Sequence, residues 1–383
     1  MTDTQTGQSD RSPSALGQDL TPSSTERRRI PDASLYVILV GIVVLMTALN
    51  PERFPTLSNL QSMLSQLPIL AFLSIGMMIS MLSGGINLAI VSSANFTGII
   101  TALTLRALTA GDSGSATLGA TALAMLVGVA ACLLIGAFMG WLVAYVEVPA
   151  ILATLGVTTL LDGANVVLTR GYTISDFPDE LLAIGNGMAF GVPAPFLMLL
   201  VVVVLLHFML NRMPFGFRLY MLGSNPIAAR FSNINTRAVL MGDYMLSSSF
   251  SALTAFVMMG QLNSVKANYA QSYVLVAVLA CFLGGVDPFG GAGRLSGMIL
   301  AVIILQIISS GVNLLRVDPF FVTAMWGAII LVLIAVNHFT GRWQEARRLA
   351  RMHALSAPEG APAARPSATP TEPNSSPQGE RVR

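Results

Sequence analysis

The segment NRMPFGFRLYMLGSNPIAARFSNINTR, residues 211–237, is the one long basic interval inside a chain that is otherwise nearly all apolar. Apolar runs flank it on both sides, at residues 193–210 and 238–262. It has no Asp or Glu, and its basic residues are Arg212, Arg218, Arg230 and Arg237. Because cytoplasmic loops between membrane spans carry an excess of arginine, this composition places the segment in the cytoplasm.

A short helix outside the bilayer is predicted within this segment. Ser224 is a candidate N-cap and Pro226 a candidate second helical position, so SNPIAARFS, residues 224–232, carries the signals of a helix start. The small residues Ala228 and Ala229 would let another surface approach this helix closely. Two interpretations stay open: a docking helix, or an ordinary cytoplasmic loop whose arginines only set the topology.

Composition identifies the chain as an integral membrane protein. Of its 383 residues, 54% are hydrophobic and 10% are charged, with a mean hydropathy of +0.69, whereas soluble domains carry about 25% charged residues. Lys266 is the single lysine, and it stands in LNSVKAN, outside any GxxxxGK[ST] phosphate loop. The glycine-rich stretch at residues 282–297 lacks that lysine and is predicted to be a tight cytoplasmic turn.

The fold class predicted is an all-α membrane protein with about ten transmembrane helices, because apolar runs of roughly 17 to 25 residues are long enough to cross a bilayer. These runs are residues 34–50, 60–82, 86–105, 116–146, 149–168, 193–211, 237–262, 271–285, 295–314 and 319–338. An even count returns the C-terminus to the side of the N-terminus. It also places residues 211–237 inside and the acidic loop around Asp176 outside.

Three regions follow from this pattern. Residues 1–33 are polar and are predicted to be a disordered cytoplasmic tail, held inside by three arginines at positions 27–29. Residues 34–340 form the transmembrane domain, with the basic segment 211–237 within it. Residues 341–383 are basic and then rich in Pro, Ala and Ser, which predicts a second disordered cytoplasmic tail.

A longer pattern in the basic segment, FGxRLYxxGxNPxAARxSxIN, resembles the coupling loop of ribose-type ABC sugar permeases. The residues that carry it are Phe215, Gly216, Arg218, Tyr220, Gly223, Asn225, Pro226, Ala228, Ala229, Arg230, Ser232 and Ile234. The similarity extends over about residues 57–336, with GGINL at 84–88 and VPAILATLG at 148–156. The resemblance implies a helix that docks into a cleft of a cytoplasmic ATPase. The implied coupling residues are Arg218, Gly223, Ser224, Asn225, Pro226, Ala228, Ala229 and Arg230.

Polar residues inside the apolar runs are candidates for a translocation path, because intramembrane polar groups tend to line pathways. The candidates are Asn87, Asn95, Thr158, Asp162, Asn165 and Gln306. The alternative is helix packing through small and hydroxyl residues, and for Asp162 a hydrogen bond to a neighbouring helix. The resembling family usually has Asp in GGIDLS, where this chain has Asn87 followed by Leu88 and Ala89.

Two smaller features complete the pattern. Gly84, Gly85 and Asn87 recur as Gly284, Gly285 and Asp287, which indicates either an internal repeat or shared turn chemistry. Asp243 lies near the start of an apolar run, where it is expected to pair with a nearby arginine such as Arg237.

The chain lacks the residue patterns of an enzyme. No nucleophile, base and orienting group occur together, no metal-ligand cluster is present, and no cofactor is expected on this chain. The resemblance implies a bacterial inner-membrane permease of a binding-protein-dependent ABC importer for a monosaccharide or related polyol, with both termini cytoplasmic. The implied partners are a separate ATPase, a periplasmic sugar-binding protein, a second permease copy and membrane lipid; nucleic acid is not among them.

Two alternatives stay open at this stage. One is a secondary transporter driven by protons or sodium, which would place ionisable residues at the membrane midplane, where Asp162 and Asp243 are the only candidates. The other is a structural membrane subunit without transport. If a periplasmic carrier docks, the outer loops at residues 107–116 and 169–192 are its predicted landing sites; otherwise they are plain solvated loops.

Overall fold

The computed structural model describes residues 32–109, 117–318 and 321–332. In that part of the chain it has thirteen helices and four strands of two residues each. The chain divides into two compact units, Met1–Gly327 and Ala328–Arg383, and every contact given below lies in the first unit. Both tails predicted to be disordered lie outside the described residues, except that positions 32 and 33 begin the first helix.

The helices follow the apolar runs of the sequence. They are α1 (Asp32–Leu49), α2 (Leu57–Leu82), α3 (Ile90–Leu108), α4 (Leu118–Ala144), α5 (Ala150–Thr169), α6 (Asp179–Asn186), α7 (Ala194–Arg212), α8 (Pro214–Ser224), α9 (Pro226–Phe231), α10 (Thr236–Leu262), α11 (Tyr273–Leu283), α12 (Leu295–Leu314) and α13 (Phe321–Val332). The strands are β1 (Ile174–Ser175), β2 (Met188–Ala189), β3 (Val192–Pro193) and β4 (Ser264–Val265). The predicted all-helical fold is confirmed.

Six of these helices, α2, α4, α5, α7, α10 and α12, are long and apolar enough to cross a bilayer by length and composition. The other four predicted spans correspond to α1, α3, α11 and α13, which are shorter or more polar. α2 and α10 pack against each other and are the most buried of the six. In contrast, α4, α5 and α7 expose large apolar side chains such as Leu126, Leu152 and Val204, as expected of helices that face lipid.

One end of the bundle, called the strand end below, carries all four short strands. β1 pairs antiparallel with β4, with Ile174 opposite Val265. β2 and β3 form a hairpin whose two turn residues, Phe190 and Gly191, both have positive φ, +56° and +79°. α6 lies against the last turns of α10, where Gly185 packs directly on the backbone of Gly260. Phe190 is fully exposed at the tip of the hairpin.

The opposite end, called the glycine end below, is formed where α2, α8 and α11 finish. Their last residues are Leu82, Ser224 and Leu283. The basic segment, the short turn between α4 and α5, and the glycine-rich loop at 284–294 all lie at this end. The two ends differ in their longest loops: the loop at the strand end carries Asp176, Asp179 and Glu180, and the segment 211–237 at the glycine end carries four arginines and no acidic residue.

Candidate functional site

The basic segment 211–237 folds as two short helices joined at one residue. α8 ends at Ser224, and α9 begins at Pro226 with Asn225 as its N-cap. The Oδ1 of Asn225 accepts hydrogen bonds of 3.0 Å from the amides of Ile227 and Ala228. The predicted helix is confirmed, but the prediction of Ser224 as its N-cap is wrong. Proline is favoured at the first helical position, so the cap is the residue immediately before it.

The two small residues of α9 face in different directions. Ala229 is fully buried against the rest of the chain, whereas Ala228 is exposed. Beside Ala228, the side chains of Ile227 and Phe231 are 68% and 89% exposed. α9 therefore uses Ala229 for packing within the chain and presents a free apolar face of Ile227, Ala228 and Phe231, the α9 face.

Gly223 sits at a junction of three backbones. A Cβ at this position would clash with the carbonyl oxygen of Leu82, the last residue of α2, and with the amide of Gly291. That amide donates a 3.0 Å hydrogen bond to the same Leu82 oxygen. Gly290 would likewise meet the backbone of Gly84 and Gly223 if it carried a Cβ. No side chain separates these segments, so α8 packs directly on the end of α2 and on the glycine-rich loop that connects α11 to α12.

The two glycine turns at this end share one feature and differ in another. Positive φ falls on the first glycine of one turn, Gly84 at +90°, and on the second glycine of the other, Gly285 at +78°. Asn87 Oδ1 accepts from the amide of Ala89, and Asp287 Oδ1 accepts from the amide two residues on, each at 3.0 Å. These are Asx turns, in which a short polar side chain bonds its own backbone. The recurring motif thus repeats the Asx turn but not the backbone conformation of the glycines, and shared turn chemistry is sufficient to explain it.

A buried polar cluster lies just behind these turns, between α2 and α10. Ser83 Oγ donates to Asp243 Oδ2 at 2.6 Å, and Asn87 Nδ2 donates to Ser247 Oγ at 2.9 Å. Ser247 Oγ in turn donates to the carbonyl of Gly76 at 2.9 Å. The predicted pairing of Asp243 with an arginine is wrong. Six residues along a helix correspond to about 240° of rotation, so Arg237 points elsewhere.

Arg237 instead joins the start of α10 to the α4–α5 turn. Its guanidinium lies 3.8 Å from Glu147 and 5.4 Å from the ring centre of Tyr145. Both charged side chains are largely exposed, so this ion pair is worth little. Glu147 and Arg237 line a cavity of about 400 Å³, together with Arg230 and Asn233. The groove is open, basic and next to α9.

All six path candidates take part in hydrogen bonds, and the bond of Gln306 to Gln66 Oε1, at 3.5 Å, is the longest. The other five are described first. Asn87 is described above. Asn95 Nδ2 donates to the carbonyls of Ala267 and Tyr269 at 3.3 and 3.0 Å, which ties α3 to the segment after β4. Thr158 Oγ1 donates to the carbonyl of Thr154 in its own helix at 2.8 Å.

The remaining two of these five candidates join α5 to α3. Ser92 Oγ donates to Asp162 Oδ1 at 2.6 Å, and Asn165 Nδ2 donates to the Ser92 carbonyl at 3.3 Å. Asp162 is half-buried and Asn165 is buried. Asp162 and Asn165 of α5 therefore face α3, where both bond Ser92.

Gln306, the sixth candidate, lines a cavity of about 200 Å³ between α2, α11, α12 and α13. Ser309 and Asn313, one and two turns further along α12, line it as well, together with Tyr273 and Trp326. The spacing of 306, 309 and 313 on one helix face is a signal that the sequence carries. Tyr273 and Trp326 have no such signal in the sequence, because an aromatic residue in an apolar run looks the same whether it faces lipid or a cavity.

Residues 59–336 match a protein family described as branched-chain amino acid transport system, permease component. The ribose import permease RbsC of Escherichia coli K12 is 31% identical over 80% of this chain and 92% of its own length. The RbsC protein of Haemophilus influenzae is 28% identical over 80% of this chain and 93% of its length.

One solved structure is also similar. An inward-facing metal-chelate type ABC transporter aligns with a TM-score of 0.47 and 16% identity, covering 79% of this chain and 98% of the other.

Proposed function

Because this chain belongs to the family of branched-chain amino acid transport system permease components, we propose that it forms the solute path of an ABC importer for a monosaccharide or related polyol. It is the permease component of an ABC transporter and is not itself an ATPase. It is a multi-pass membrane protein, homologous to bacterial inner-membrane permeases. The sugar class is supported by the ribose permeases that it resembles over most of their length.

The proposed topology has ten crossings, with the glycine end and both termini in the cytoplasm and the strand end in the periplasm. The charge distribution supports it, because arginine is enriched on the cytoplasmic side of membrane proteins. The arginines of the segment 211–237 lie at the glycine end, whereas Asp176, Asp179 and Glu180 lie at the strand end. The ten crossing helices, which are α1 to α5, α7 and α10 to α13, then alternate in direction along the chain.

Cysteine labelling tests this orientation. Cys132 and Cys281 are both fully buried, so they do not react with a membrane-impermeant maleimide in the folded protein. In intact spheroplasts, Phe190→Cys at the strand end is expected to be labelled. Ser232→Cys, just after α9, is expected to be labelled only after the membrane is opened. The reverse pattern would contradict the topology.

The proposed ATPase contact is the α9 face together with the basic groove beside it. The observation that carries this proposal is the backbone junction at Gly223, because it connects the surface that a partner would bind to the end of α2 and to the loop between α11 and α12. Phe289, exposed in the adjacent glycine-rich loop, extends the apolar surface. ATP-driven movement of the partner would therefore displace, through α8, the end of α2 and the loop between α11 and α12.

Transport by the reconstituted complex tests the function. Proteoliposomes that contain this permease, its ATPase and its binding protein are expected to accumulate radiolabelled D-ribose only when ATP is supplied on the ATPase side. Collapse of the proton and sodium gradients with ionophores should leave this uptake unchanged. Uptake that follows the gradient instead of ATP would favour the ion-driven alternative, for which buried Asp243 is the best-placed carboxylate.

The proposed complex also has a periplasmic binding protein and a second permease copy. The binding protein is assigned to the strand end, where the β2–β3 hairpin projects a fully exposed Phe190. A bulky residue with positive φ is strained and persists where the surroundings or a function maintain it. The second copy, identical or paralogous, would cover part of the apolar surface that α4, α5 and α7 leave exposed; lipid covers the rest.

A further inference from the structure

We propose that the cavity between α2, α11, α12 and α13 is a binding site of this permease for one neutral, polyhydroxylated solute, and we call it the Gln306 cavity. This inference rests on the proposed importer function, which it extends by assigning a solute site to residues of the permease itself. The residues that carry the argument are Ser272, Tyr273, Gln306, Ser309, Asn313 and Trp326, all of which line the cavity.

Size limits the ligand. The cavity has a volume of about 200 Å³, below the roughly 300–1,000 Å³ typical of pockets for drug-sized molecules. It holds a single small ring with a few substituents and excludes a disaccharide. A monosaccharide or a short linear polyol has the right dimensions.

Several polar side-chain atoms that line the cavity have no hydrogen-bond partner in the described part of the chain. Gln306 is only 4% exposed, yet its side-chain amide makes one long contact, 3.5 Å from Nε2 to Gln66 Oε1. Its own Oε1, the Tyr273 hydroxyl and the Ser309 hydroxyl have no hydrogen-bond partner within residues 32–109, 117–318 and 321–332. None of these three atoms is among the fully buried unpaired side-chain atoms of the described chain, so they are open to the cavity. A ligand hydroxyl, which both donates and accepts, satisfies such a set.

Charge excludes other ligand classes. The cavity lining contains no Asp, Glu, Lys, Arg or His among the residues that the structure describes. A charged solute would enter this low-dielectric site without a counter-charge, which costs far more than burying a neutral hydroxyl that is hydrogen-bonded. The lining therefore selects neutral solutes over amino acids, phosphates and inorganic ions.

An aromatic wall completes the site. Trp326 is 7% exposed, and it shares the cavity with Tyr273. The faces of these rings are electron-rich, so they attract the weakly positive C–H groups that cover one side of a sugar ring. Amides and hydroxyls on α12 with aromatic rings on α11 and α13 then match the two kinds of surface that a sugar presents.

The cavity lies between the end of the bundle where solute would enter and the end where the ATPase would bind. Gln306 and Asn313 lie in the half of α12 nearer the strand end, where a binding protein would release its solute. Leu70 of α2 and Val276 of α11 also line the cavity. The far end of α2 meets Gly223 directly, and α11 is connected to it by the loop that contains Gly290 and Gly291, so a movement of the coupling segment would reach this site through both.

Tryptophan fluorescence gives a direct binding test. The chain has three tryptophans, at positions 141, 326 and 343, so a Trp141→Phe, Trp343→Phe variant leaves Trp326 as the only reporter. In nanodiscs, titration with D-ribose is expected to change the Trp326 emission in a saturable way at millimolar concentration. Glycine betaine at equal osmolality is expected to produce no saturable change. No saturable response to D-ribose or to any other monosaccharide would overturn the proposal.

Substitutions of cavity residues test whether the fluorescence response comes from the Gln306 cavity. In the single-tryptophan background, Gln306→Leu is expected to weaken D-ribose binding about tenfold, as befits one or two lost hydrogen bonds, and Ser309→Ala a few-fold. Ser310→Ala is the matched control, because that hydroxyl donates to Asn59 Oδ1 at 2.9 Å and does not line the cavity. Equal binding by Gln306→Leu, Ser309→Ala and Ser310→Ala would place the ligand elsewhere and overturn the proposal.

Uptake separates this proposal from the one on which it rests. If wild-type proteoliposomes show ATP-driven uptake and Gln306→Leu lowers it about tenfold at normal assembly, both proposals are supported. ATP-driven uptake that is the same in Gln306→Leu overturns the cavity and leaves the importer standing. Absence of ATP-driven uptake in the wild type, with saturable D-ribose binding intact, overturns the importer and leaves the cavity standing.

Discussion

Ser83 donates a 2.6 Å hydrogen bond to Oδ2 of Asp243, and this bond joins the end of α2 to the first half of α10. Asp243 is fully buried, and its Oδ1 has no hydrogen-bond partner in the described part of the chain. A carboxyl group inside a membrane helix is costly, and here the hydroxyl of Ser83 is the main group that offsets the cost.

Loss of that hydroxyl should destabilise the protein. Ser83→Ala is expected to lower the free energy of unfolding by about 1–3 kcal/mol, because it leaves a second buried oxygen unsatisfied. Thermal unfolding can be followed with a thiol-reactive dye, since Cys132 and Cys281 are buried until the chain unfolds. Ser249→Ala on α10 is the control, because its hydroxyl bonds only the Met245 carbonyl of its own helix. Equal melting temperatures for both variants would contradict the role given to Ser83.

The Gly223 junction should not tolerate a side chain. Gly223→Ala is expected to lower ATP-driven uptake at least about tenfold, because relieving the clash with Leu82 and Gly291 shifts α8 or costs about 1–3 kcal/mol. Uptake is measured against the amount of permease in the membrane, which should stay normal. Gly163→Ala is the control, since a Cβ there meets nothing within 4 Å. Full uptake by Gly223→Ala would show that α8 does not transmit movement.

Part of this architecture was predictable from the sequence because the bilayer imposes it. A span needs a long apolar run, so the run at 237–262 predicted α10 closely, and proline with a capping residue predicted α9. The contacts that matter for the site escaped prediction because they join distant positions. Ser83 and Asp243 are 160 residues apart, and nothing local marks them as partners. Tyr273 and Trp326 reach the Gln306 cavity only through the packing of α11 and α13.

Aromatic residues at opposite ends of the bundle allow a matched test of ATPase docking. Phe231→Ala on the α9 face is expected to weaken ATPase binding by about 2 kcal/mol, roughly thirtyfold in Kd, as for a buried aromatic anchor in an interface. Phe190→Ala removes an equally exposed aromatic side chain at the strand end and should leave ATPase binding unchanged. Binding to nanodisc-embedded permease is measured by surface plasmon resonance. Similar losses for both variants would mean that the effect is not local to α9.

The β2–β3 hairpin gives the corresponding test on the other side. Phe190 has φ +56°, a conformation that costs an L-residue roughly 1 kcal/mol and costs glycine nothing. Phe190→Gly should therefore keep or improve the hairpin while it removes the aromatic ring. If the ring contacts the binding protein, stimulation of ATP hydrolysis by that protein should fall about tenfold or more, whereas basal hydrolysis and ATPase binding stay normal. Phe190→Tyr, which restores a ring, should recover most of the stimulation. Stimulation that survives in Phe190→Gly would mean that the binding protein contacts another part of the strand end, and the strain at Phe190 would then need a different cause.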